Sequence, residues 1–145
     1  MRAFVQRVSR AEVHVDGVSV GKIAQGLLVF LGIGREDTEF QIPILAKKIV
    51  ELRIFEDESA KMNLSLSDLK AEILIISQFT LYANCSRGRR PDFTQAAPPQ
   101  LAKDLFDGFV QHISSLGYNP QTGVFGADMK VDLLNDGPVT ILLEV

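Results

Sequence analysis

Tryptophan is missing from the 145 residues, cysteine occurs once and histidine twice. A single cysteine, Cys85, excludes an internal disulfide and a zinc site built on thiolates. It reads as a small buried hydrophobe rather than a nucleophile. His14 and His112 are scattered relative to it, so neither a ligand set nor a cysteine–histidine couple is spelled out, and no metal or other cofactor is expected. Positive charge is not in excess either. The 15 basic and 18 acidic residues leave a formal charge of −3, which excludes a protein that coats nucleic acid through a broad basic surface. No DNA partner is expected, and any RNA contact must be local. No apolar run approaches the ~20 residues that span a bilayer. Polar residues break the opening Met1-Arg2-Ala3-Phe4-Val5-Gln6-Arg7 before it could serve as a signal-peptide core, so the expected location is the cytoplasm, without membrane contact.

What is present suffices for one core. With 46% hydrophobic residues the chain reads as a single domain, residues 1–145. Val13, Val15, Val18 and Val20 alternate with polar residues around Asp16-Gly17, a hairpin signal. Residues 3–8 predict a preceding strand and residues 27–33 a following one. Thr38 and Gln41 have capping-box spacing before Ile42, Leu45, Ala46, Ile49 and Leu52 at helical period, although Pro43 lets that helix start later. A second helix opens at Pro98-Pro99, carries Leu101, Leu105, Phe106, Phe109, Ile113 and Leu116 on one face, and ends at Gly117. Ile73-Leu74-Ile75-Ile76 predicts a strand buried on both faces. The C-terminus alternates through residues 130–133 and 139–145, interrupted by Asn135-Asp136-Gly137-Pro138.

Chemistry-bearing residues are sparse. Ser77 and Thr80 follow the buried strand, where chain ends often present hydroxyls and amides to a ligand. A strand simply leaving the core reads the same way, and no Gly-x-Ser-x-Gly elbow frames the serine. Gly137-Pro138 fits either an ordinary turn or a rigid projecting one. The three arginines of Arg87-Gly88-Arg89-Arg90 fit a solvated loop or a phosphate contact.

Taken in order, these segments resemble the D-aminoacyl-tRNA deacylase family from end to end. The resemblance rests on Gln6-Arg7-Val8, Gly26-Leu27-Leu28-Val29, Arg53-Ile54-Phe55, Lys61-Met62-Asn63-Leu64, Ser77-Gln78-Phe79-Thr80-Leu81, Gln121-Thr122-Gly123, Ala127-Asp128-Met129 and Asn135-Asp136-Gly137-Pro138-Val139-Thr140. Where the family often has glycine before Lys61, this chain has Ala60. The resemblance implies hydrolysis of the ester joining a D-amino acid to the terminal adenosine of tRNA, and clearance of glycine from mischarged alanine tRNA, without a metal. It implies a site at Ser77, Gln78, Phe79 and Thr80, with oxyanion-binding amides at Phe79 and Thr80 and a substrate 2′-hydroxyl helping to activate water. Gly137-Pro138 matches a cis turn that rejects L-amino acids from the partner's site in a homodimer, and Arg7 matches its support. Met129 and Phe125 are candidates for walls of the adenosine pocket. A relative editing mainly glycine or another small amino acid, or a non-catalytic RNA-binding dimer, are the alternatives. The expected fold class is α/β of the α+β type, mostly antiparallel β-sheets forming a barrel-like core with two main helices packed on it. Replacing Arg87, Arg89 and Arg90 together by alanine is expected to weaken aminoacyl-tRNA binding and flatten its dependence on salt; titrations over a range of ionic strength would return them to a solvated loop if the slope stayed unchanged.

Overall fold

The computed structural model describes residues 1–86 and 88–145. The separate strands expected over 3–8 and 13–15 are one continuous strand, β1 (Arg2–Val15). Register shifts between Gln6 and Val8, Val8 and Arg10, and Val13 and His14 interrupt its ladders. Such irregularities bend a strand and sharpen its twist, so one segment can line two parts of a curved sheet. Asp16 and Gly17, at φ +50° and +79°, turn the chain into β2 (Val18–Ile23), and β3 (Gly26–Gly32) returns along the first half of β1. There follow α1 (Gln41–Val50), β4 (Phe55–Glu56), β5 (Met62–Leu64), α2 (Leu66–Leu69), β6 (Glu72–Ser77), a 3₁₀ turn (Phe79–Tyr82), α3 (Pro99–Ser115), β7 (Gln121–Thr122) and β8 (Met129–Glu144).

The main sheet runs β2-β1-β3-β6-β7, with β8 on the other side of β1. Its far strands nearly meet, because a Cβ on Gly21 of β2 would lie 2.5 Å from the carbonyl oxygen of Thr122 in β7. This is the barrel-like closure anticipated for the fold. All pairings of β1 are antiparallel, whereas β3–β6 and β6–β7 are parallel. The reason lies in two crossovers, through α1, the β4–β5 hairpin and α2 between β3 and β6, and through the 3₁₀ turn and α3 between β6 and β7. Strands covered on both faces carry unbroken apolar runs, as Leu27-Leu28-Val29 and Ile73-Leu74-Ile75-Ile76 do.

Alternation along these strands divides the core. Leu27, Val29 and Leu31 of β3 and Ile73 and Ile75 of β6 face α1 and α3, while Leu28, Leu74 and Ile76 join Val8, Ala11, Val13 and Ile23 inside the barrel. Both helices bury most of the faces expected of them, with Leu45, Ile49, Leu105, Phe109 and Ile113 at most 4% exposed, but Leu116, expected on the buried face, lies past the end of α3 and is 45% exposed. α1 starts at Gln41, not Thr38, and only half of the expected capping box forms: Thr38 N–H and Oγ1 donate to Gln41 Oε1 at 2.9 and 2.8 Å. Pro43 falls in the first turn, where its missing N–H costs nothing. α2 escaped the sequence reading, although Ser65 and Asp68 have capping spacing and Asp68 Oδ2 accepts both Ser65 N–H (2.7 Å) and Oγ (2.6 Å). Those bonds hold the Asp68 carboxyl below its ordinary range. No helix among the described residues is long and apolar enough to cross a membrane.

The β4–β5 loop explains the departure at Ala60. Asp57 Oδ1 accepts the amides of Ser59 (2.8 Å) and Lys61 (3.1 Å), and this tight path forces Ala60 to φ +56°. A Cβ is disfavoured there. Ala60→Gly is therefore expected to stabilise the protein by about 1 kcal/mol, the relief of left-handed strain less the extra freedom of glycine in the unfolded chain. Urea denaturation checks the sign.

Candidate active site

The parallel pair positions the cavity. β7 accompanies β6 for only two residues, opposite Leu74 and Ile75; Gly123 N–H still reaches Ile75 O at 3.4 Å, and the chain then runs through 124–128 without pairing to the sheet. A cavity of about 480 Å³ opens at the carboxyl ends of β3 and β6, where open α/β sheets commonly bind ligands. Ser77, Gln78 and Phe79 line it together with Phe125 and Met129, beside apolar residues that include Ile76 and Phe106. Phe125 packs against Phe106 with ring centroids 6.0 Å apart. The pocket near the motif is thus open, not filled as the non-catalytic alternative requires.

Gln78 anchors the wall by donating its amide to Leu31 O of β3 at 2.8 Å. The chain then tightens into the 3₁₀ turn, whose first internal bond is Leu81 N–H to Gln78 O (3.3 Å). In such a turn the leading amides, here Phe79 and Thr80, find no acceptor inside it. Thr80 itself is exposed and does not line the cavity; its Oγ1 accepts a bond from Gln78 Nε2. Phe79 is 57% exposed and meets Phe93 edge to face, with centroids 5.0 Å apart. Phe93 ends a loop closed by the paired backbone bonds of Asn84 and Asp92. Arg89 and Arg90 are exposed on that loop, while Arg87 lies outside the described residues. Cys85 is exposed there too, contrary to the buried role expected, because the loop leaves the core before reaching it.

Gly137-Pro138 is cis, the state implied by the resemblance. Gln6 pairs with Thr140 and Val8 with Asn135, so Asp136-Gly137-Pro138-Val139 stands opposite Arg7 alone and projects from the ladder. Asn135 staples the neck: its Oδ1 accepts Val139 N–H at 2.8 Å, and its Nδ2 donates to Thr140 Oγ1 at 2.9 Å. Arg7, only 4% exposed, supports the base of the turn. Its Nε donates to Asp136 O (2.9 Å) and its Nη1 to Ile54 O (2.7 Å), with Glu56 Oε1 3.5 Å from Nη2. Gly137 adopts φ +132°, and a Cβ there would lie 2.7 Å from Val139 Cγ2 and 3.0 Å from Arg7 Nη2. Only glycine suits it. The turn is exposed, and neither it nor Arg7 lines the cavity of its own chain.

The model of the family described as D-Tyr-tRNA(Tyr) deacylase matches residues 4–144. The chain belongs to that family. It is 54% identical to a D-aminoacyl-tRNA deacylase of Thermosipho africanus (strain TCF52B), over 99% of this chain and 97% of the relative. It is 56% identical to a D-aminoacyl-tRNA deacylase of Desulfatibacillum aliphaticivorans, over 99% of each chain. Among solved structures, one described as a c-Myc DNA unwinding element binding protein superposes with TM-score 0.94 at 43% identity, covering 100% of this chain and 99% of the other. A probable eukaryotic D-amino acid tRNA deacylase, 19% identical with TM-score 0.83 over 99% and 98% of the two chains, shares the fold. The protein is a hydrolase acting on the ester of D-aminoacyl-tRNA.

Sequence reasoning passed over the supports: Asn135 at the neck, and Ile54 and Glu56 behind Arg7. Asn135 had a signal in its place beside Asp-Gly-Pro, whereas the partners of Arg7 lie 47 and 49 residues away and had none. Arg7→Lys is expected to cost about 1–3 kcal/mol, because one ammonium cannot replace the fork and leaves a carbonyl without its donor. Denaturation reads the loss, and faster amide exchange at Val139 reads the loosened turn.

Proposed function

We propose that this protein removes D-amino acids from tRNA by main-chain chemistry, with each site completed by the Gly137-Pro138 turn of a second copy. The observation carrying this reading is the separation within one chain of an open cavity beside Ser77-Gln78-Phe79 and a rigid, exposed turn absent from that cavity's lining. The long strand β8 supports the dimer: it pairs only with β1 among the described residues and leaves Leu134 and Leu142 each 53% exposed. Edges and apolar faces of this kind favour association.

In this reading the terminal adenosine enters between Phe125 and Met129, and the ester carbonyl meets the amides of Phe79 and Thr80. Those donors stabilise the oxyanion of the tetrahedral intermediate. Water attacks with help from the substrate's own 2′-hydroxyl, so Thr80 positions and forms no acyl-enzyme. Backbone atoms of the partner's turn occupy the volume an L side chain needs, which makes selection a rejection. Glycine has no side chain to reject, so glycine on alanine tRNA is a substrate as well. Arg89 and Arg90, with Arg87, contact the phosphates of the acceptor stem, where a local basic loop suffices despite the net charge of −3.

Matched D- and L-tyrosyl-tRNA should be hydrolysed and spared respectively, and glycyl-tRNA hydrolysed. To test the shared site, a Thr80→Pro variant, which loses one of the two donors, is mixed with a Gly137→Ala variant. Subunit exchange should restore one intact site per heterodimer and recover activity. Confirmed exchange without recovery would falsify the cross-subunit arrangement.

A further inference from the structure

We propose that Arg2, Tyr82 and Asp37 form a clamp that holds the wall of the cavity in its working position. This rests on the reading that the segment 77–80 serves the reaction. The 3₁₀ turn follows that wall directly, and its far end is gripped from three directions. Arg2 Nη1 donates to Leu81 O at 2.9 Å, and the Arg2 guanidinium lies over the Tyr82 ring, 4.5 Å from its centroid. Glu144 Oε1 also holds that guanidinium, 2.6 Å from Nε. Tyr82 O–H donates to Asp37 Oδ2 at 3.2 Å, and the same oxygen accepts Gly34 N–H at 2.6 Å. Asp37 Oδ1 meets the Met1 ammonium at 2.6 Å.

The third grip is steric. The turn seats on bare backbone at the end of β3, where a Cβ on Gly32 would lie 3.0 Å from Leu81 Cβ and 3.1 Å from Gln78 O, and one on Gly34 would lie 2.8 Å from the Tyr82 ring. Burial and the neighbouring Asp37 carboxylate push the Tyr82 phenol well above its ordinary range, so the O–H stays a donor through neutral pH. The cavity wall is held on its N-terminal side by β6 and by Gln78 N–H on Leu31 O, and its C-terminal continuation is the gripped turn. Losing the grip frees Phe79 and Thr80 to shift, while the adenosine walls at Phe125 and Met129 remain. Arg2, Tyr82 and Asp37 touch no reacting atom in this scheme; they are positioning residues.

Tyr82→Phe, Arg2→Met and Arg2→Lys test the clamp in the full-length protein on D-tyrosyl-tRNA. Asp37→Asn is a poorer variant because it also removes the counter-charge of the ammonium. Displacement of about an ångström can cost on the order of 100-fold in rate, so Arg2→Met should lower kcat by about 10- to 100-fold with KM within about twofold. Tyr82→Phe should lower kcat less, and Arg2→Lys should recover part of the loss, since an ammonium can still reach the ring and Leu81 O. Peptides covering residues 78–83 should exchange amide hydrogen faster in Arg2→Met and Tyr82→Phe. A fall in kcat with unchanged exchange overturns the clamp and leaves the catalytic reading of the wall standing. Faster exchange with unchanged kcat overturns both, since the wall's position would then not matter to hydrolysis. A rise in KM alone also overturns the clamp, because it assigns these residues to binding.

Discussion

A guanidinium buried to 4% exposure must have its donors met in place, and Arg7 meets this requirement by tying together three parts of the chain. From β1 it reaches Ile54 O before the β4–β5 hairpin, Glu56 on that hairpin and Asp136 O at the base of the projecting turn. Pulling the carbonyl of Ile54 or Asp136 away would leave a largely buried N–H without its acceptor, so the turn inherits the rigidity of the core behind it. Asn135 adds a local constraint across the neck. A loop held only by its flanking strands would have no fixed tip to present.

The second dependence is topological. Parallel pairing of β3 and β6 brings two carboxyl ends to one edge, and the brevity of β7 keeps that edge open. The cavity wall is the chain leaving β6, anchored at Gln78 on Leu31 O and seated on the glycines that end β3. The same sheet therefore builds both halves of the proposed machinery, the cavity at its parallel end and the turn on its antiparallel edge. Their separation within one chain is what makes a second copy part of the proposed function.

Much of the framework was legible because its signals are local. Alternation marked the hairpin at Asp16-Gly17, helical period marked the buried faces of α1 and α3, and apolar runs marked β3 and β6. The motif order pointed to the family, and the missing glycine at Ala60 matched a position whose φ of +56° favours one. Arg7 was legible only through the resemblance, and its burial came from the structure. Ala3, Val5 and Arg7 share the buried face of β1 by simple alternation, and an arginine in that series demands partners. The merging of two expected strands into β1 was not legible, because register shifts depend on what the strand pairs with.

The sequence by itself determined which segments could be strands or helices, which faces had to be buried, and to which family the order of motifs points, since periodicity and residue type act over a few neighbours. The tertiary structure alone decided the partners. Bonds from Arg7 to Ile54 and Asp136 span 47 and 129 residues, and the one from Arg2 to Leu81 spans 79. It also decided the parallel sense of β3 and β6, the opening at the end of β7 and the exposure of Cys85. Contacts across such distances depend on the path of the whole chain, and no pattern within a short window encodes that path.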